Sequence, residues 1–195
     1  MLKKLYNIGE NFYNFKELKL KEIEKSCCEN EECKVIDFDK VKEKVVQSHN
    51  LQTISSCDGL KFCFHDEIID FIEMKSIKKI EDNKIKKRVN SFDFEKKIED
   101  SLYLLQTILH CGYFSNEEKK LFKRIMKRYF IVVDIEIERD GLQNIALTLD
   151  FLSKVSNYEE VKVLLRSKIE ALELTYLVKK PKLVSCNHIC KVLCK

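Results

Sequence analysis

Proline and glycine are nearly missing: the 195 residues hold one proline and four glycines. Tight turns draw on these residues for fixed or left-handed backbone. Their shortage predicts long elements, few tight turns and much helix. Four glycines also cannot build a glycine-rich phosphate cradle, which excludes nucleotide hydrolysis of the P-loop type. Long apolar runs are missing as well. No stretch approaches the ~18 residues that a membrane span needs, so no membrane partner is expected. The opening Met1-Leu-Lys-Lys-Leu-Tyr-Asn7 resembles the charged start of a secretion signal, but no apolar segment follows it.

Other features are plentiful. Hydrophobic residues make up 45% of the chain and charged residues 35%, enough for a substantial core under a charged surface. The length suits one domain, or one domain with a helical appendage. Nine cysteines, with no secretion signal, point to a cytoplasmic protein with reduced thiols, some of them available to metal.

The most informative stretch runs from Asp58 to Lys75, two apolar-rich segments around Asp66-Glu67. It reads as a β-hairpin. With Asp66 and Glu67 as a two-residue turn, Asp58 faces Lys75, Leu60 faces Glu73 and Phe62 faces Phe71. Side chains alternate faces along a strand, so Asp58, Glu73 and Lys75 share one side. Asp-Glu is not a preferred tight-turn pair, which leaves a longer loop or a shifted register open. A slip of one residue would scatter the cluster.

Around the hairpin the reading is coarser. Phe15, Leu18 and Ile23 suggest a short helix, and the Cys27–Cys33 segment is a ligand loop or a connector. Residues 38–50 read as a helix capped by Asp37 or Asp39, with Val41 and Val45 on one side. Residues 78–88 are strongly basic, either a solvated loop or an arm that contacts phosphates. A helix face repeats through Phe94, Ile98, Leu102, Leu105 and Ile108. Ser115-Asn-Glu-Glu118 is a capping box for a basic helix through Arg128. Phe130–Ile137 is the best strand signal, and its apolar start suits burial on both faces. Helices are expected over 142–155 and, after a second capping box at Asn157–Glu160, to about Leu177. Cys186, Cys190 and Cys194 form a single stripe if that segment is helical.

Two carboxylates converging on a strand pair suit a hard divalent cation, Mg²⁺ or Mn²⁺, with the Met74 carbonyl as a further oxygen ligand. Such a cation activates water and offsets charge at a phosphoryl group, and Lys75 would assist beside the attacking water. A solvated salt bridge is the plain alternative.

The run Cys57-Asp58-Gly59-Leu60-Lys61-Phe62, followed by Phe71-Ile72-Glu73-Met74-Lys75-Ser76, resembles the motif of the PD-(D/E)XK, or restriction-endonuclease-like, nuclease superfamily. The resemblance covers roughly residues 38–137. It implies an α/β fold: a restriction-endonuclease-like core with a mixed central sheet flanked by helices, and a helix-rich C-terminal part. Asp58 and Glu73 match that family's metal-binding acids and Lys75 its catalytic lysine. Glu43 is the candidate acid from the preceding helix. Gln106, with Tyr103 behind it, is the candidate from the following one. The chain then divides into an N-terminal extension (1–37), a nuclease-like core (38–178) and a cysteine-containing tail (179–195). The resemblance further implies an endo- or exonuclease acting on nucleic acid, DNA rather than RNA. Some members join an early cysteine to a late triplet around an iron–sulfur cluster. Zinc or such a cluster is one reading of the cysteines here, and buried inert thiols are the other. The alternative function is a non-catalytic binding or assembly protein, a partner or inhibitor of another nuclease. A protein partner or a homodimer fits either reading.

Overall fold

The structure, a computed structural model of the chain, describes residues 1–24, 26–29, 31–52, 54–137, 149–172 and 178–195. Helices are α1 (Leu2–Phe12), α2 (Phe38–His49), α3 (Ile85–Asn90), α4 (Phe94–His110), α5 (Asn116–Arg124), α6 (Leu149–Glu170) and α7 (Cys186–Val192). Strands are β1 (Glu17–Lys19), β2 (Lys34–Asp37), β3 (Gly59–Cys63), β4 (Ile68–Lys75), β5 (Met126–Val133) and β6 (Lys182–Ser185). They form one six-stranded sheet in sequence order. The first four strands pair antiparallel, whereas β4–β5 and β5–β6 pair parallel. The fold is therefore α/β with a mixed, open sheet. No helix among the described residues is long and apolar enough to cross a membrane.

Parallel pairing needs a crossover of a dozen or more residues. Here α3, α4 and α5 span β4 to β5, and α6 lies between β5 and β6. These helices cover one face of the sheet, over a core that includes Phe38, Val41, Leu60, Phe71, Phe94, Ile98 and Ile131. The other face is covered by the segment around Leu20–Cys28 and by α7, over Ile72, Met74, Phe130 and Val132. Residues 130–133 alternate between the two cores, so the burial on both faces expected of this run is observed.

Local chemistry sets the helix starts. Asp37 caps α2 by accepting from the Lys40 amide at 3.3 Å, and Asp93 caps α4 by accepting from the Lys96 amide at 3.1 Å. The Ser115/Glu118 capping box forms in both directions. The α5 helix ends at Arg124 rather than Arg128, because Ile68 pairs with Met126 and draws 126–129 into β5. The strand accordingly starts four residues earlier than expected and stops at Val133. The expected helix around Phe15–Ile23 is instead β1 and a 3-10 turn, since Glu17–Lys19 pair with β2. Asn157 does not start a helix: α6 runs through it without a break. The expected start at 142 and the stretch 173–177 lie outside the described residues. Within 1–37 and 179–195, β1, β2 and β6 belong to the same sheet as the rest.

The hairpin differs from the expected register in one respect. Gly59 pairs with Ile72 and Cys63 with Ile68, so residues 64–67 form a four-residue loop, with Glu67 left-handed at φ 52°. The partners move by two positions, and a shift of two keeps every side chain on its face. The shared side of Asp58, Glu73 and Lys75 survives.

Two disulfides tie the C-terminus to the sheet, Cys33–Cys190 and Cys63–Cys194. Four of the nine cysteines are therefore paired, which corrects the expectation of reduced thiols throughout. Cys194 lies beyond α7 with φ 55°, so it leaves the stripe that Cys186 and Cys190 share.

One glycine is fixed by a close approach. In α1, Gly9 lies against the buried Phe15 ring, and an added Cβ would meet Cδ2 of that ring at 2.2 Å. Gly→Ala inside a helix ordinarily stabilises. Here Gly9→Ala is expected to destabilise by about 1–3 kcal/mol through overpacking, measured by urea denaturation. An unchanged or raised midpoint would contradict the packing of α1 on Phe15.

Candidate active site at the end of the central strand

The β4 strand is buried along almost its whole length, and Glu73 has no exposed surface. The β3–β4 register carried one step past Gly59–Ile72 sets Asp58 beside Glu73. Asp58 Oδ2 accepts the Met74 amide at 2.5 Å. The Asp58 backbone is fixed from the other side, where its carbonyl accepts the Phe38 amide at 3.1 Å at the start of α2. The residues leading into Asp58 hang on α4. Ser55 N–H donates to Asp100 at 2.8 Å, Cys57 N–H donates to Ser101 Oγ at 2.8 Å, and the Ser56 carbonyl accepts Lys97 Nζ at 2.6 Å. Two helices and a strand thus set the position of one carboxylate.

Two ammonium groups reach Glu73. Lys75, two residues along the same strand, donates to Glu73 Oε1, and Lys97 Nζ from α4 lies 3.6 Å from the same oxygen. Glu73 Oε2 is buried and has no hydrogen-bond partner among the described residues. Burial, then the Asp58 charge, push the Glu73 carboxyl up to about 7 against the pull of both lysines. Burial also raises Asp58, opposed by the Met74 amide and the same lysines. For Lys97, burial acts downward, but the Glu73, Asp58 and Asp39 carboxylates outweigh it and raise the ammonium.

Asp58, Glu73 and Lys75 are thus brought together as the sequence suggested. Glu43 is not beside them. It is exposed on α2, in a cleft with Glu10, Asn14 and Lys40. The α2 acid that does face the site is Asp39. It accepts Ser56 Oγ at 2.6 Å, and the Ser56 carbonyl holds Lys97. Gln106 and Tyr103 are exposed near His49 and His110 in another cleft. Lys97, nine residues earlier on the same helix, takes the place expected of Gln106. Its signal was its position four residues before the buried Ser101 and eight before Leu105, at the margin of the apolar stripe.

The two basic segments separate. Residues 78–88 leave directly from Lys75, and the Arg88 guanidinium and Lys75 ammonium lie 5.9 and 5.3 Å from the centre of the same Phe92 ring. Residues 119–128 are at the opposite end. Met126 pairs with Ile68, seven residues before the Lys75–Val133 pair, about 23 Å away at strand rise. Two of their cations also turn inward. Lys127 donates to the Phe122 and Ile125 carbonyls, and burial lowers its ammonium to about 8. Arg128 forks onto Asp70 through two bonds of 2.6 Å.

Thiols gather on the other face of the sheet. Among the described residues, three groups place ligand atoms within 4.8 Å of one another: Cys27, Cys28 and Cys186; Glu31, Cys33 and Cys190; and Cys63, Asp70 and Cys194. These clusters could bind a metal. The second and third contain disulfide sulfurs, which are not thiolate ligands in that state, so the first has free thiols only.

The Glu73 carboxyl titrates near 7, against 4.5 ordinarily, so the folded state binds this proton more tightly than the unfolded state. Stability is fully present below the ordinary value, falls as pH rises towards 7 and is flat above, a loss of about 3 kcal/mol. Glu73→Gln stays neutral throughout. Its stability relative to wild type is expected to rise by about that amount between pH 4.5 and pH 8 in urea denaturation. A pH-independent difference would contradict the buried, half-satisfied carboxylate.

No protein-family model, curated protein or solved structure matches the chain, so the chemistry of the site stands on the geometry of Asp58, Glu73, Lys75 and Lys97.

Proposed function

We propose that the chain is a metal-dependent nuclease that hydrolyses phosphodiester bonds, in DNA rather than RNA by its resemblance to the restriction-endonuclease-like superfamily. The observation that carries this reading is Glu73 Oε2, a buried carboxylate oxygen without a partner among the described residues, beside a second carboxylate held in place by backbone. Such an atom is costly unless something meets it. A hard cation suits an oxygen donor set of this kind. Asp58, Glu73 and the Met74 carbonyl would hold Mg²⁺ or Mn²⁺. The Met74 amide already reaches Asp58, and the N–H and C=O of one strand residue point to the same side. When bound, the cation lowers the pKa of a coordinated water and offsets charge on a phosphoryl oxygen.

The chain's own residues supply the rest. Glu73 must ionise to act as a ligand, which its two lysines favour and its burial opposes. Lys75, partly exposed and in direct contact with Glu73, would meet a substrate phosphate beside the cation. Lys97 and Asp39 act through other groups, holding Glu73 and the Ser56 backbone. Arg88, beside Lys75 on Phe92, adds a cation where the phosphate backbone would pass. The strand order also supports this reading. Helix α2, the antiparallel pair carrying Asp58 and Glu73, the helical crossover and β5 follow one another along the stretch that carries the resemblance, residues 38–137, within a mixed sheet.

A specific observation favours the second reading, a non-catalytic binding or assembly protein. Glu73 is fully covered, and Lys75 and Lys97 already balance its charge, as in a stabilising core pair.

Cleavage of plasmid and oligonucleotide DNA with added Mg²⁺ or Mn²⁺ separates the two. The nuclease reading expects cleavage that needs the added ion, increases as pH rises through about 7 with Glu73 ionisation, and drops by about 10²-fold or more in Glu73→Gln or Asp58→Asn. Equal background in wild type and Glu73→Gln, with binding of DNA or a protein retained, would establish the second reading instead.

A further inference from the structure

The thiols on the opposite face of the sheet form a separate constellation. Two of them come from one turn. Ser26 Oγ accepts the Cys28 amide at 3.1 Å and donates to Met74 Sδ at 3.4 Å, which fixes the backbone around Cys27 and Cys28 over β4. The third is Cys186, the first residue of α7, brought up by the parallel β5–β6 pairing that ends at Val133–Ser185. The Cys27 sulfur lies 3.9 Å from that of Cys28 and 3.4 Å from that of Cys186.

Those separations match a metal's requirement better than a disulfide's. Sulfurs bonded to one tetrahedral zinc at about 2.3 Å stand about 3.8 Å apart, whereas disulfide sulfurs lie about 2.05 Å apart. The neighbouring Cys33 and Cys190 are bonded to each other and are not available as ligands in this state. Beside the three thiols opens a cavity of about 400 Å³, with Asp134, Glu136 and Asn187 in its wall. Asp134 is occupied there, accepting Ser76 Oγ and the Ile77 and Lys78 amides at 2.6, 2.7 and 3.1 Å. It adds negative charge near the sulfurs without serving as a ligand.

We propose that Cys27, Cys28 and Cys186 bind a single Zn²⁺ ion through three thiolates, with the fourth coordination position facing this cavity and filled by water. The three thiols release their protons to solvent on binding, and no redox step is involved. Thiolate donors select zinc over the hard cations that suit Asp58 and Glu73. The two sites therefore differ in metal as well as in face of the sheet, and this proposal stands apart from the nuclease reading. The ion would join the Cys27–Cys28 turn to the start of α7, beside the Cys33–Cys190 disulfide that joins the same two regions.

The test uses the full chain, purified under non-reducing conditions and titrated with Zn²⁺. Metal analysis is expected to find one zinc per chain. Alkylation followed by peptide mass spectrometry should find Cys186, the partly exposed thiol of the three, protected by Zn²⁺ in wild type, with Cys111, a partly exposed free thiol elsewhere, labelled at the same rate with and without the ion. Cys186→Ser should weaken zinc binding by at least about tenfold. The protection pattern is read on wild type, so it stands even if that variant folds poorly. Absence of bound zinc, or zinc bound without protection of Cys186, would overturn the proposal. So would iron with inorganic sulfide in place of zinc, or a requirement for reduced Cys33 and Cys190.

Discussion

Taking a carboxylate out of water costs several kcal/mol unless its oxygens are met, and β4 carries two such groups in the middle of the sheet. Asp70 and Glu73 both have no exposed surface, and their parity sends them to opposite faces. Asp70 is met completely, by the Arg128 fork and by the Cys194 amide at 3.1 Å. Glu73 is met on one oxygen only. Asp70 anchors the C-terminus to the sheet. Glu73 is held by the residues around it: α4 brings Lys97, α2 brings Asp39 and the contact to the Asp58 backbone, and β3 brings Asp58 itself. One oxygen of this carboxylate is left over, and burial with the Asp58 charge raises the carboxyl to about 7.

The sequence carried the cluster further than it carried the fold. Alternation along two strands was enough to bring Asp58, Glu73 and Lys75 to one side, and the conclusion tolerated a wrong turn because the error was two residues. Local signals were equally legible where capping chemistry decides, as at Asp37, Asp93 and Ser115. What could not be read depends on pairing between distant segments. Residues 17–19 look helical alone and become β1 only through β2. Residues 126–129 continue a basic helix until Ile68 pairs with Met126. Glu43 and Gln106 were chosen for residue type on the correct helices, but both lie on exposed faces. Asp39 read only as an alternative cap and Lys97 carried no reading at all, since one sequence does not say which lysine turns inward.

The cysteines make the same point over longer range. Four-residue spacing in the tail suggested a helical stripe, which holds for Cys186 and Cys190 and fails at Cys194. The partners of Cys190 and Cys194 lie 157 and 131 residues away, fixed by β6 joining the edge of the sheet. That tertiary arrangement leaves Cys27, Cys28 and Cys186 together as free thiols. The molecule thus presents oxygen donors on the helical face of its central strand and sulfur donors on the other.

The central claim is that Asp58 and Glu73 hold a divalent cation. A crystal of the chain soaked in Mn²⁺ at pH 8, above the Glu73 titration, tests it most directly through anomalous scattering. The account predicts a manganese peak bonded to Glu73 Oε2 and to Asp58, at about 2.0–2.2 Å as for a hard cation with oxygen ligands, and no peak there in Glu73→Gln. Manganese found only elsewhere, with Glu73 still closed against Lys75 and Lys97, would contradict it.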